Sequence, residues 1–273
     1  EPAALTALTL LAHDRPAAAQ AVLDWLADIQ SDDGYVGITS DQAKPRWPTS
    51  LAVLAWNHHA RVSGSDRFKT PVKRGIDGLL SIASHTSERT KNVTHDTTIE
   101  GWPWAEGTHA WIEPTAFALM AMKSCGLERH QRAADATRLL LDRQLPRGGC
   151  NYGNTFVLGQ QLLPHLQPTG ISALALAGVA DDPRLQKSLR YLESFWRQES
   201  GTASRAYAVM GLAAHGRTPD DLTSRFEKSG RRLLEEPSGA YRAALVTLAV
   251  LGDKNPLVMS QLSASPSERK ESA

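Results

Sequence analysis

Two apolar patterns alternate along the chain. In the first, apolar residues fill nearly every position, as in Thr115-Ala-Phe-Ala-Leu-Met-Ala-Met122 and Ile171-Ser-Ala-Leu-Ala-Leu-Ala-Gly178. A helix that is apolar on all sides must be enclosed by other elements. In the second, a Leu/Ala stripe faces a charged side over roughly 16–30, 68–84, 128–144, 182–198 and 218–235. That spacing predicts helices with one wetted face. β-branched alternation never runs far, and the good helix formers Ala and Leu dominate, so the pattern predicts an all-α protein.

A short signature marks where the enclosed helices begin. A residue, then Pro, then Thr or Ala recurs at Glu1-Pro2-Ala3, Trp47-Pro48-Thr49, Glu113-Pro114-Thr115 and Gln167-Pro168-Thr169. Proline suits the first helical position, where its missing N–H costs nothing. Copies without the proline stand at Thr202-Ala203-Ser204 and Gly239-Ala240-Tyr241, which makes six enclosed helices. The four prolines are 46, 66 and 54 residues apart, so the units carry insertions of unequal size. Regular units would suit an open solenoid. Unequal units and six enclosed helices predict closure into an α/α toroid, a double ring of about six inner and five to six outer helices. Residues 1–259 are then one domain. Within it, 85–112 is a functional insertion loop holding Trp102, Trp104 and Trp111, and the Ser/Lys/Glu-rich 260–273 is a flexible tail.

Charge narrows the choice of partner. The 273 residues include 30 Lys and Arg against 29 Asp and Glu, a net charge of +1. This balance offers no field for steering onto nucleic acid or an anionic membrane. No apolar run approaches the ~20 residues of a membrane span. With no leader pattern at the start, the expected location is cytoplasmic. Cys125 and Cys150 are too few for a disulfide framework.

Two helix ends carry a further motif. Trp25-Leu26-x3-Gln30-x3-Gly34-Tyr35-Val36 and Leu139-Leu140-x3-Gln144-x3-Gly148-Gly149-Cys150 resemble the Gln–Trp repeat of squalene and terpenoid cyclases, seen in looser form in protein prenyltransferase β subunits. Val36 and Cys150 stand where that repeat has Trp. The run Pro114-Thr115-Ala116-Phe117-Ala118-Leu119 is similar to the Thr-Ala helix of the same group, and the resemblance extends over roughly residues 1–252. It implies the toroid, with the Gln capping helix ends. It also implies a mainly apolar central cavity for an isoprenoid or similar ligand, shallow unless another chain or the 85–112 insertion covers it.

Class II cyclases in this group place an Asp-x-Asp-Asp acid immediately before the Thr-Ala helix, and the resemblance lays its middle acid on Glu113. Trp111 and Pro114 replace two of its partner carboxylates. A carboxyl among aromatic rings has its pKa raised and can donate a proton. The competing role for Glu113 is to complement the positive end of a helix. Asp96, in Thr94-His95-Asp96-Thr97-Thr98, echoes a variant Asp-x-Asp-Thr-Thr motif and is the second candidate acid. Trp102, Trp104, His109, Trp111 and Tyr152 are the candidate substrate-binding residues. No metal site is expected: the Asp-x-Cys pair of prenyltransferases is absent, since Lys123 precedes Cys125 and Gly148 precedes Cys150 by two. No cofactor is expected, and magnesium would enter only with a diphosphate substrate. Two other classes compete. One is a protein-interaction module that uses the ring face. The other is a polysaccharide-active toroid drawing a carboxyl pair from Asp32, Asp33, Glu100, Glu106 and Glu113.

Overall fold

A computed structural model of the chain describes residues 1–42, 44–89, 93–179, 181–199, 201–235 and 239–262. Among the described residues the protein is all-α apart from one short hairpin. The six continuously apolar segments form α1 (Pro2–Ala12), α3 (Thr49–Ser63), α5 (Ile112–Ser124), α7 (Leu166–Ala175), α9 (Thr202–Ala213) and α11 (Ala240–Ala249). The amphipathic segments form α2 (Pro16–Asp28), α4 (Lys69–Ser81), α6 (Gln131–Asp142), α8 (Pro183–Phe195) and α10 (Leu222–Glu235). A 3-10 turn at Gly252–Lys254 leads into α12 (Pro256–Leu262), and β1 (Phe156–Val157) pairs with β2 (Gln160–Gln161).

Burial follows the pattern. Every residue of α5 from Ile112 to Lys123 is buried, whereas α6 buries only its Ala133, Ala136 and Leu139–Leu141 side. The apolar helices pack on one another in order: α1 on α3, α3 on α5, α5 on α7, α7 on α9, α9 on α11, and α11 back on α1. Each amphipathic helix lies against an apolar neighbour, α2 on α1 and α4 on α3, for example. The interior is packed. Phe117 of α5 and Tyr207 of α9, two helices apart in that order, bring their ring centroids to 6.2 Å. Helix α12 touches α3, α5, α7 and α9 with Leu257 and Val258 fully buried.

Three details differ from the sequence expectation. Pro2 is the first residue of α1, but Pro48 precedes α3, and Pro114 and Pro168 are the third residues of α5 and α7. All these N–H groups lie in the first turn, where no intrahelical acceptor exists, so proline is harmless at each position. Helix α12 occupies a stretch expected to be the end of the domain and the start of a tail. The remainder of that expected tail, 263–273, lies outside the described residues. Finally, the 85–112 segment belongs to the scaffold at its end, where Gly101-Trp102 repeats a structural device found twice elsewhere.

That device is a threonine hook. The Thr49 hydroxyl accepts from the Val36 N–H at 2.9 Å and donates to the Arg46 carbonyl at 2.7 Å. Thr169 does the same with the Cys150 N–H (2.9 Å) and the His165 carbonyl (2.6 Å). Thr115 accepts from the Trp102 N–H at 3.0 Å. In two of the three units the strap before the hook turns at a glycine pressed on the next amphipathic helix. A Cβ on Gly34 would stand 2.1 Å from the Arg74 carbonyl oxygen, and one on Gly148 2.4 Å from that of Lys187. The glutamines of the repeat secure the same straps. Gln30 donates to the Gly34 and Pro71 carbonyls, and Gln144 is held by Ser172 and Ser188.

Candidate functional site

Because the hooks fix where each apolar helix starts, they also fix the residue two places before each Thr. Those residues are Trp47, Glu113 and Gln167, and Glu1 occupies the matching place before Pro2. Gln167 donates from Nε2 to the Glu113 carboxyl at 3.0 Å. Tyr207 points its hydroxyl at Glu1 at 3.5 Å, and Tyr241 bonds to both Glu1 and Tyr207. The signature thus assembles a polar cluster at the head of the apolar helices. Glu1, Glu113, Gln167, Tyr207 and Tyr241 come from α1, α5, α7, α9 and α11 or their leading residues.

Glu113 is only 7% exposed. Burial raises its pKa from 4.5 to about 7, the Gln167 hydrogen bond opposing this and the Glu1 charge adding to it. The carboxyl therefore keeps a proton far above the usual range for Glu. Burial also raises the Glu1 carboxyl and pushes the Tyr207 phenol well above its ordinary value. In each case burial favours the protonated form, which is how a packed interior tolerates such a group.

The other expected site residues divide between this head and the side of the molecule. Trp111 immediately precedes α5, half-buried, with Gly153 against its ring and His109 at a centroid distance of 4.5 Å. Tyr152, whose carbonyl accepts from the Ile112 N–H at 2.8 Å, lies 5.1 Å from the His165 ring. The burial of Tyr152 and the Glu113 charge both raise the pKa of its phenol. Trp111 and Tyr152 thus flank the start of α5. Trp104 stands edge-on to Trp47 at 4.9 Å.

Trp102 is a scaffold residue, contrary to its expected place in a binding platform. It is 2% exposed, donates from Nε1 to the Leu79 carbonyl and has the Arg132 guanidinium 4.1 Å over its ring. Asp96 differs from a donating acid. Arg89 hydrogen-bonds its carboxylate and, with Thr98, holds it far below its ordinary pKa, so it is ionised at every physiological pH. His109 faces a separate cleft with His95, away from the Glu113 cluster.

The remaining acids are paired. Asp33 meets Arg46, Asp32 meets Arg74, Glu100 meets Arg132, and Glu106 meets both Lys44 and Arg46. Among the described residues no group of three His, Cys, Asp or Glu side chains is placed to hold a metal ion, and no helix is long and apolar enough to cross a membrane.

Gln167 and Glu1 were within reach of sequence reasoning, since both occupy the variable place of the proline signature. Tyr241 sits in a copy without the proline, and Tyr207 carries no local signal, being one buried aromatic within an apolar run. No known protein family and no curated protein sequence matches the chain.

Proposed function

We propose that the protein is an α/α toroid of the terpenoid cyclase and protein prenyltransferase type. Its working end is the head of the apolar helices, and Glu113 is a general acid toward an isoprenoid-like ligand. The return of helix contacts from α11 to α1, the glutamine-secured straps and the Thr-Ala helices support the class. One observation carries the activity: a buried carboxyl with its pKa near neutrality, held by one hydrogen bond at the head of the ring.

That pKa favours one kind of acceptor. A donor works best when its pKa lies near the working pH, and an acid this weak suits an oxygen rather than a bare alkene. In this reading Glu113 protonates an epoxide oxygen as the C–O bond breaks, leaving a carboxylate on Glu113, a hydroxyl on the substrate and a carbocation at the freed carbon. The Gln167 N–H stabilises the carboxylate. Proton loss from the product cation restores the neutral acid. A cleft of about 310 Å³ lined by Glu1, Trp25, Ile29, Val36 and Ile38 adjoins the cluster through Glu1, not through Glu113, and in this reading takes the apolar part of the ligand. Such a volume lies at the lower end of small-molecule sites. The packed interior moves the expected seat from the centre of the ring to its head.

The test is product analysis by gas chromatography and mass spectrometry. The purified chain is incubated with squalene, its terminal epoxide and polyprenyl diphosphates, with and without magnesium. A cyclised or ring-opened epoxide product, reduced about 100-fold or more in Glu113→Gln, is expected. Absence of turnover on every substrate would overturn the catalytic reading. The packed interior favours a second reading, a non-catalytic module whose ring face or partner-covered head holds another protein. Under it Glu113→Gln alters stability alone.

A further inference from the structure

A second cleft, of about 410 Å³, opens on the side of the molecule where residues 85–89 and 93–99 meet the β1–β2 hairpin. Its polar wall is formed by His85, His95, His109 and Arg143, with the Ser87 and Thr97 side chains beside them. Its apolar wall is Ile99, Phe156, Val157 and Leu158. None of its described lining residues is Asp or Glu. The cleft is therefore rich in hydrogen-bond donors and free of carboxylate on one side, and apolar on the other.

Arg143 is the decisive residue. Its side chain is only 5% exposed. Nη1 binds the Asp142 carboxylate and the Asp96 carbonyl, yet among the described residues the buried Nε–H has no partner. A buried guanidinium donor left unpaired costs the desolvation of a charged group, and a bound anion relieves that cost. The Asp96 carboxylate cannot serve, because it is turned to Arg89. His95 is fixed through Nδ1 by the Thr155 hydroxyl at 3.1 Å. Burial and the Arg143 charge push His95 down to about 4, and the same two causes lower His109, so both rings are neutral at pH 7. Among the described lining residues that leaves Arg143 as the fixed charge; Asp142 engages its Nη1, so a ligand would meet the remaining donors of the guanidinium.

Ile99 is buried at the base of the apolar wall, whereas Val157 and Leu158 of the hairpin are exposed. Leu158 is 97% exposed at the hairpin tip and sits at a φ of 50°, in a left-handed conformation that a leucine side chain disfavours. We propose that this cleft binds a small carboxylate bearing an apolar tail, with the carboxyl over Arg143 and the tail along the hairpin. The cleft shares no lining residue with the Glu113 cluster.

Calorimetric titration of the full chain at pH 7 tests it with octanoate, octanol and inorganic phosphate as probes. Octanoate is expected to bind saturably, with octanol and phosphate each weaker by about tenfold or more, since each lacks one half of the recognition. Arg143→Gln is expected to weaken octanoate by a similar factor. Should that variant fold poorly, Leu158→Asp decides: aspartate tolerates the left-handed tip, and its charge faces the tail and repels the probe. Glu113→Gln is expected to leave octanoate binding unchanged. Octanol binding as tightly as octanoate, binding untouched by Leu158→Asp, loss of binding in Glu113→Gln, or no binding at all would overturn the proposal.

Discussion

Glu113 holds its proton up to about pH 7 because water is excluded from its carboxyl and a single amide hydrogen bond does not replace what hydration would supply. The stability consequence has a definite sign. The folded pKa, about 7, lies above the ordinary 4.5, so the folded chain holds the proton more tightly than the unfolded one. This contribution is complete below pH 4.5 and is lost as pH rises through 7. Glu113→Gln keeps the acceptor for Gln167 but has no charge to bury. Its stability relative to wild type should therefore rise by about 1.4 kcal/mol per pH unit across that window, and by about 3 kcal/mol in all. Urea denaturation of both proteins at pH 5 and pH 8 measures it, and a difference that does not change with pH would contradict the assignment. His95 has the opposite sign. Its pKa of about 4 means that its neutral, buried form stabilises the fold above pH 6.5 and ceases to do so as pH falls toward 4. Removing it in His95→Asn should lessen the loss of thermal stability between pH 6.5 and 4.

The helices are placed by their hooks. Thr115→Val removes the acceptor for the buried Trp102 N–H and should cost about 1–3 kcal/mol, the desolvation of an unpaired amide. Gly148→Ala should cost about 2 kcal/mol or more, because φ is +100° and the added Cβ meets the Lys187 carbonyl. Chemical denaturation measures both, and losses within about 0.5 kcal/mol would show that the straps are not the registers described above. Much of this was legible beforehand. The apolar and amphipathic segments, the proline starts and the glutamine repeats all depend on local spacing, which a sequence displays directly. The Gly101-Trp102 strap was hidden by an insertion that separates it from α4, so its Trp read as a ligand platform rather than as part of the scaffold. Helix α12 escaped notice for a different reason. At seven residues it is too short for a periodic signal, and its helicity comes from burial against four other helices.

At the scale of the whole molecule, each apolar helix has two apolar neighbours in a contact order that returns to its start, and α12 fills space against four of them. Damage at α12 should therefore spread. Leu257→Ala is expected to cost about 2–5 kcal/mol and to lower a single cooperative transition rather than split off a partial one. Calorimetry distinguishes the two, and a separate low-temperature transition would mean that α12 is an appendage. The same packing explains why function is sought at the head and the side. The interior is occupied by Phe117 and α12, whereas the head gathers Glu1, Glu113 and Gln167 from three of the four proline copies, with Tyr207 and Tyr241 beside them.

The proposed chemistry requires Glu113 to be a protonated carboxyl at the head of the apolar helices. Infrared difference titration of wild type against Glu113→Gln reads this directly through the C=O stretch of a neutral carboxyl. The account expects that band to persist through pH 6 and to disappear with a midpoint near 7. A band already lost by pH 5 would mean that Glu113 is an ordinary carboxylate, and the proposed acid would be withdrawn.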